Sequence, residues 1–258
     1  MKFCVLGSGS RGNCTYIEEG ETCLLIDAGF SGKEIARRLA LIGRRPEQLS
    51  AILVTHEHHD HITGVGVLSR RFQLPVYANP ETHSAAEGRV GKLCARREFS
   101  TGRRFSLDGF EIHPFAVSHD TADPVGFVVD SGNRRLGYCT DTGRVTKLMA
   151  HLLGECHGLI LEANHDPRML KEGPYPFPLK QRVGSNMGHL ANADAASFAR
   201  QLGGGVLETL VLAHLSETNN HPDIVRQEMG EIFDNHSPRP EIILAGQNGP
   251  GPFVDLSL

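Results

Sequence analysis

The sequence contains no tryptophan and only four tyrosines, and its twelve phenylalanines are spread along the chain. It therefore shows no stripe of aromatic residues on which nucleic-acid bases could stack. Basic residues do not dominate either, since 26 Lys and Arg stand against 30 Asp and Glu and the formal net charge is −4. This balance excludes the overall positive field with which many proteins attract a polyanion.

Long apolar runs are also lacking. No window is long enough to cross a bilayer, and the apolar stretch after Met1 is too short for the core of a signal peptide. The six cysteines include no C-x-x-C pair. Scattered cysteines are typical of buried thiols in a reducing compartment, so we expect a cytoplasmic protein without membrane contact and assign the cysteines no chemistry.

The most informative segment is residues 53–61, LVTHEHHDH, which places three imidazoles and a carboxylate at H-x-H-x-D-H spacing after an apolar run. Alternate residues of an extended backbone share one face, so His56 and His58 can bind the same ion. Asp60 and His61 come where helical spacing begins, which turns them toward a second ion. The segment predicts half of a dinuclear metal site, and His59 is assigned no role.

Short apolar strands alternate with amphipathic helices in both halves of the chain. Strands are predicted at 2–6, 14–18, 22–26, 51–55, 75–77, 110–117, 125–130, 134–140, 159–162, 207–213 and 241–245. Helices are predicted after the cap Ser31, at 62–72, from about 144, at 192–202 and at 222–233. This order predicts an α/β fold, a four-layer αββα sandwich of two mixed β-sheets with helices outside. With 258 residues and 40% apolar content, we expect one domain spanning 1–258.

Residues 168–185 interrupt this alternation. The run GPYPFP at 173–178 breaks both the helical and the strand periodicity. Lys171, Lys180 and Arg182 flank it. We expect a mobile flap that contacts the substrate and whose basic side chains hold phosphates, with binding that weakens steeply as salt rises.

Residues 7–12, GSGSRG, match the G-x-G-x-x-G pattern of dinucleotide-binding loops. Such a loop must open a helix whose N-terminus meets a pyrophosphate, but residues 14–17, CTYI, are typical of a strand. We therefore expect a tight turn close to the metal site and no dinucleotide. A direct contact of Ser10 or Asn13 with the substrate is left open.

Several later motifs complete a recognisable order. D-A-G at 27–29, H-x-H-x-D-H at 56–61, S-H-D at 118–120, T-D-T-G at 140–143 and A-H-L-S at 213–216 resemble the metallo-β-lactamase superfamily across nearly the whole chain. Within it, GSGSRGN at 7–13, EANHD at 162–166 and GHL at 188–190 are similar to the single-domain YycJ (WalJ) branch, a relative of ribonuclease Z. The resemblance implies the metallo-β-lactamase fold and a nuclease acting on DNA or RNA.

The resemblance also implies a ligand set. One metal ion would be held by His56, His58 and His119, the other by Asp60, His61 and His214, and Asp141 would bridge them. Nitrogen and oxygen ligands without a thiolate suit Zn²⁺, Mn²⁺ or Fe, among which the sequence does not choose. Asp27 would orient a ligand imidazole, although it could instead cap the turn at Gly29.

Such a site predicts a mechanism. Two divalent ions about 3.5 to 4 Å apart would lower the pKa of a bridging water, and the resulting hydroxide would attack the phosphodiester. Asp60 and His189 are assigned to catalysis. His189 is the candidate donor of a proton to the departing oxygen, because it precedes Asn192, the expected cap of a helix whose N-terminus favours anions. A loop histidine bonded to the backbone is the alternative for His189.

Other hydrolases on the same scaffold are the main alternative, in particular a cyclic phosphodiesterase or a glyoxalase-type thioesterase. A β-lactamase is disfavoured, because such enzymes need export and often carry Cys where Asp141 stands. A di-iron redox protein is disfavoured by His58, where such proteins place Glu, and by a length that leaves no space for a flavin module. A binding protein without turnover is disfavoured by the complete ligand set. The expected partner is a nucleic-acid substrate, and the oligomeric state is not predicted.

Overall fold

The structure is a computed structural model and describes residues 1–233 and 239–256. Within these residues the chain forms two mixed β-sheets of seven strands each. The first sheet contains β1 (Lys2–Gly7), β2 (Cys14–Glu19), β3 (Thr22–Ile26), β4 (Ala51–Leu53), β5 (Pro75–Ala78), β6 (Ala95–Glu98) and, from the end of the chain, β14 (Val254–Asp255). The second contains β7 (Phe105–Leu107), β8 (Phe110–Ala116), β9 (Val125–Asp130), β10 (Arg135–Cys139), β11 (Gly158–Glu162), β12 (Thr209–Ala213) and β13 (Glu241–Leu244).

Each sheet joins an antiparallel part to a parallel part. The first has the order β14-β1-β2-β3-β4-β5-β6, antiparallel as far as β3 and parallel from β3 to β6. The second has the order β13-β12-β11-β10-β9-β8-β7, parallel from β13 to β10 and antiparallel beyond it. Loops after the parallel strands are where this kind of sheet gathers functional side chains.

Helices cover the outer faces of both sheets. On the first sheet they are α1 (Gly32–Leu41), α2 (His59–Ile62), α3 (Val65–Phe72) and α4 (Pro80–Val90), and on the second α5 (Lys147–Leu153), α8 (Asn192–Leu202) and α9 (Pro222–Phe233). Two further short helices, α6 (Pro167–Glu172) and α7 (Phe177–Val183), lie between β11 and α8 in the chain. Ser31 caps α1 as predicted, since its Oγ accepts a hydrogen bond from Glu34 N at 3.3 Å. No helix within the described ranges has the length and apolarity needed to span a membrane.

The side chains of the central strands alternate between two apolar layers. In β1, Phe3 packs between the sheets, whereas Cys4 packs under the helices of the first half. In β11, Ile160 packs between the sheets and Leu161 packs under the helices of the second half. This period of two buries both faces of the sheets. The predicted four-layer αββα sandwich is confirmed.

The expectation of an irregular flap at 168–185 is wrong, because α6 and α7 lie there. Prolines were the reason for the prediction, yet proline is tolerated in the first turn of a helix, where its missing N–H is not needed. Pro167 occupies this position in α6, which Asp166 caps by accepting a hydrogen bond from Met169 N at 2.7 Å. Pro176 and Pro178 likewise stand at the start of α7.

Other differences are local. α5 begins three residues later than 144, because Thr146 caps it. The strands β6, β7 and β14 and the helix α4 were not predicted, since they are short or carry few apolar residues. Cys94 is exposed, whereas the other five cysteines are buried as expected.

Candidate metal centre

The predicted site residues follow strands of both sheets. Asp27 comes directly after β3, Asp141 two residues after β10 and His214 directly after β12. All three have left-handed backbone conformations, with φ of 59°, 55° and 54°. This region is unfavourable for residues other than glycine and is found mainly where the surroundings fix it at functional sites. The turns direct these three side chains toward the loop after β4.

His56, His58 and His119 form one cluster, in which one nitrogen atom from each lies within 4.8 Å of the others. His58 Nδ1 and His119 Nε2 are 3.2 Å apart. The other ring nitrogen of His119 donates to the carbonyl of Gly188 at 3.0 Å, which fixes the ring. β4 ends at Leu53, so the two histidines of the segment lie in an extended loop and not near the end of a longer strand as predicted.

Asp60, His61 and His214 form a second cluster with ligand atoms within 4.8 Å of one another. Asp60 Oδ2 is 3.5 Å from His61 Nε2 and 3.6 Å from His214 Nε2. His61 Nδ1 donates to Asp27 Oδ2 at 2.7 Å, and the fully buried Asp27 also accepts from Thr55 N and Oγ1, at 2.9 Å each. This geometry supports the orienting role of Asp27 over the capping alternative.

Asp141 lies between the two clusters. Its Oδ2 is 3.3 Å from His61 Nε2, and its Oδ1 is 3.9 Å from His119 Nε2 and 3.6 Å from His214 Nδ1. The structure thus brings together all seven side chains that the sequence predicted as ligands. They are His56, His58, Asp60, His61, His119, Asp141 and His214.

Three atoms of this group are buried without a hydrogen-bond partner, namely His56 Nε2, Asp141 Oδ2 and His214 Nε2. An unpaired buried polar atom costs about 1 to 3 kcal/mol, so such atoms are rare unless a further group satisfies them. Here all three are electron-pair donors that belong to one cluster. Imidazole nitrogens and carboxylate oxygens in this arrangement fit divalent metal ions.

The electrostatics of the cluster agree with this fit. Burial lowers the pKa of His56 well below its usual value, and nearby imidazoles lower it further, so this ring is neutral and its nitrogen can ligate. Burial alone would also lower the pKa of His61 and of His214, but the surrounding carboxylates raise both well above the usual value. The negative charge of these carboxylates can thus be balanced either by protons on the two rings or by divalent cations bound between the side chains.

Glu162 is a residue of the site that sequence reasoning missed. Its Oε1 accepts hydrogen bonds from His189 Nδ1 at 2.8 Å and His214 Nδ1 at 2.9 Å, and its Oε2 accepts from the backbone of Thr142 and Leu190 at 3.0 Å. Burial raises the pKa of Glu162, but the two imidazoles outweigh this and hold it below the usual value. The signal was a carboxylate ending an otherwise apolar, fully buried strand.

His189 lies beside the clusters, with its ring 5.1 Å from the rings of both His119 and His214. The prediction that Asn192 caps the following helix is wrong, since Ala191 holds the cap position and the Asn192 side chain bonds Asn220. Glu162, and neither a helix cap nor a backbone carbonyl, therefore positions His189. With Nδ1 engaged by Glu162, Nε2 is the ring atom left for a substrate.

The glycine-rich loop at 7–13 lies at the site and leads into a strand, as predicted. Asn13 Nδ2 is 3.2 Å from Asp60 Oδ2 and 3.0 Å from His61 Nε2. Asn13 Oδ1 accepts from Ser8 Oγ at 2.9 Å. Asn13 therefore contacts the clustered residues, whereas Ser10 lines the cavity beside them.

A cavity of about 160 Å³ opens beside His189 and His214. Helix α7 forms one wall, from which Arg182 faces the cavity. The Arg182 guanidinium is held by Asp120, with Nη2 3.2 Å from Oδ1 and Nε 2.5 Å from Oδ2. A cation is thus fixed at the cavity that adjoins the clusters.

Comparisons with known proteins agree with this site. The family described as "Beta-lactamase superfamily domain" matches residues 22–215. The chain is 40% identical over 233 residues to "Exodeoxyribonuclease WalJ" of Streptococcus pneumoniae, which covers 89% of this chain and 87% of that protein. It is 38% identical over 236 residues to "Exodeoxyribonuclease YycJ" of Bacillus anthracis, with 91% and 89% covered.

Comparison with solved structures identifies the same fold. The crystal structure of the metallo-β-lactamase fold protein YhfI from Bacillus subtilis matches with a TM-score of 0.74 at 19% identity, covering 98% of this chain and 99% of that one. The chain therefore belongs to the metallo-β-lactamase superfamily and, within it, to the family of the WalJ and YycJ proteins.

Proposed function

We propose that the protein is a divalent-metal-dependent nuclease that hydrolyses phosphodiester bonds of DNA. The observation that carries the proposal is that seven side chains able to bind metal ions converge, and that three of their buried atoms have no hydrogen-bond partner. The names of the two relatives favour DNA over RNA and removal of nucleotides from strand ends. The cytoplasmic location expected from the scattered cysteines suits such a substrate.

The two clusters support a division of the ligands between two ions. His56, His58 and His119 would hold one, Asp60, His61 and His214 the other, and Asp141 would contact both. The nitrogen and oxygen donors suit Zn²⁺ or Mn²⁺, and Fe is also compatible. When bound, the ions would supply a nucleophile at neutral pH and balance the charge of the phosphate oxygens.

The remaining residues of the site would position the ligand side chains and protonate the departing oxygen. Asp27 fixes the ring of His61, and Gly188 fixes the ring of His119, so that the ligand nitrogens keep their directions. Glu162 accepts a hydrogen bond from His189 Nδ1 and so fixes the orientation of this ring. His189 can then deliver a proton from Nε2 to the departing oxygen at the cavity.

Replacing Glu162 with Gln tests this positioning. We expect kcat on single-stranded DNA to fall roughly 10- to 100-fold, because the amide has no negative charge and only one oxygen. That oxygen cannot accept both from the two imidazoles and from the backbone N–H groups of Thr142 and Leu190. Metal content should stay near that of the wild type. The matched control is Glu172→Gln, an exposed glutamate in α6, which should keep full activity. A kcat of Glu162→Gln within twofold of wild type would contradict the assignment.

Replacing Arg182 with Gln tests the cavity. We expect KM for single-stranded DNA to rise about tenfold, because a charge-assisted hydrogen bond to a phosphate is worth about 1.5 to 3 kcal/mol. The control is Arg168→Gln, an exposed arginine of α6 paired with Glu172. An unchanged KM and an unchanged salt dependence in Arg182→Gln would show that the phosphate does not use this guanidinium.

A nuclease assay tests the proposed function as a whole. Labelled single- and double-stranded DNA and RNA are incubated with the protein and Mn²⁺, Zn²⁺ or a chelator, with Asp60→Ala as the blank. We expect metal-dependent release of nucleotides from DNA and none in the blank. Turnover of a thioester or a small cyclic phosphodiester without any cleavage of nucleic acid would instead identify a small-substrate hydrolase.

A further inference from the structure

A second groove lies next to the catalytic cavity, on the other side of helix α7. Leu179, Arg182 and Val183 of this helix line the catalytic cavity, whereas Phe177 and Lys180 line the second groove. The groove has a volume of about 550 Å³. This lies within the range of roughly 300 to 1,000 Å³ that is typical of sites for small organic groups, a class that includes nucleotides.

The groove carries an exposed aromatic ring. Phe177 is 70% exposed, more than any other large apolar side chain among the described residues. Leu170 and Pro167 of α6 continue the apolar surface beside it. An exposed aromatic face of this kind can stack on any nucleic-acid base, because every base presents a π face. A single ring suffices for one base, without the aromatic stripe that the sequence lacks.

Positive groups border the same groove. Lys171 and Lys180 both line it, and Lys180 Nζ is held by the carbonyl of Lys171 at 2.7 Å. Glu172, the acidic residue of α6, is already paired with Arg168. Asp194 is the acidic residue that lines the groove, so the two lysines leave it with a net positive charge. This charge is complementary to a phosphate.

An independent observation comes from His165. This residue lines the groove, is only 4% exposed and has no hydrogen-bond partner for Nδ1. The carbonyl of His165 accepts a hydrogen bond from the backbone N–H of Asn192, the first residue of α8. Helix α8 therefore also begins at the groove. Its N-cap residue, Ala191, has no side-chain acceptor. A buried ring nitrogen and a helix start whose N-cap has no side-chain acceptor both favour a polar ligand, and the helix start favours an anion.

We propose that this groove binds a nucleotide of single-stranded DNA outside the catalytic cavity. The base would lie against Phe177, and the phosphate would lie near Lys171, Lys180 and the start of α8. The inference rests on the proposed nuclease function and adds a strand-holding site to it. Because α7 separates the two cavities, one strand would contact both sides of this helix.

Kinetics of the metal-loaded protein on a labelled single strand of DNA test the groove. We expect Phe177→Ala to raise KM roughly tenfold, since a base loses its stacking partner. In the double variant Lys171→Ala/Lys180→Ala, the slope of log KM against log salt should fall by about 0.7, because that is the contribution of one phosphate contact on a single strand. Leu41→Ala, which removes a 62% exposed side chain of α1, is the matched control and should change neither.

The outcomes separate the groove from the nuclease. The proposed DNA site in the groove would be overturned if the wild type cleaves the strand and the KM of Phe177→Ala lies within twofold of the wild-type KM. It would also be overturned if Leu41→Ala changes KM as much as Phe177→Ala does. Either result would point to a protein as the partner of Phe177. An unchanged salt slope in the double lysine variant would overturn the phosphate contact. Failure of the wild type to cleave any nucleic acid would instead refute the proposed function itself.

Discussion

Replacing Asp141 with Ala is expected to lower turnover of single-stranded DNA on the order of a thousandfold or more and to reduce the bound metal. Its carboxylate lies between both clusters, with Oδ2 3.3 Å from His61 Nε2 and Oδ1 3.9 Å from His119 Nε2. Without this carboxylate the two proposed ions would lose a shared ligand, and metal assistance is worth several kcal/mol in the transition state. The measurements are kcat and the metal content from elemental analysis.

Two controls define this result. Asp141→Asn keeps the shape of the side chain but removes its charge and one oxygen, so we expect it to lose activity and metal as the alanine variant does. Asp223→Ala removes an exposed aspartate at the start of α9 and should change neither quantity. Full metal content and activity in Asp141→Ala would contradict the role of Asp141 as a ligand shared by the two proposed ions.

The second large effect is expected for His189→Ala, in which turnover should fall roughly a hundredfold or more while metal content stays near wild type. The variant removes the proton donor but none of the seven predicted ligands. Met187→Ala, an exposed neighbour in the same loop, is the control and should keep its activity. Both quantities are read from the same preparations, by initial rates and elemental analysis.

Loss of metal from His189→Ala would contradict this role. His189 has a ring nitrogen within 4.8 Å of ligand atoms of Asp141, Glu162 and His214, so a direct contact with an ion is the alternative that the experiment separates. In that case Glu162 would orient a ligand, and the donor of the proton would have to be sought elsewhere along the cavity.

The clustering of His56, His58, Asp60 and His61 could be predicted because its signal is local, whereas His119, Asp141 and His214 were expected only from the family resemblance. The segment at 56–61 carries four of the seven side chains, and its spacing alone separates two pairs. The prediction that His56 and His58 follow directly on a strand reaching residue 55 was only partly correct, since the strand ends at Leu53. An extended loop keeps the same alternation of side chains as a strand, so His56 and His58 still meet around one point.

Glu162 could not be predicted because its role depends on pairing between strands distant in the sequence. In the parallel pair β11 and β12, Glu162 stands beside Ala213, which places the next residue, His214, against the carboxylate. A single carboxylate after an apolar strand has no spacing that reveals such a partner. The register of the sheet, which the sequence does not state, makes the contact.

The segment 168–185 was misinterpreted for a different reason. Helices of six or seven residues are too short to show an apolar period, and the prolines that stand at their starts resemble loop residues. The helical structure matters for function, because α7 presents Arg182 to the catalytic cavity and Phe177 to the second groove.

The proposed dinuclear metal centre is tested by the metal content of the purified wild-type protein, measured by elemental analysis beside the rate of DNA cleavage before and after chelation. We expect two divalent transition-metal ions per chain, loss of cleavage when they are removed and recovery when Zn²⁺ or Mn²⁺ is returned. Protein that cleaves DNA at full rate with no stoichiometric metal would contradict the proposed centre.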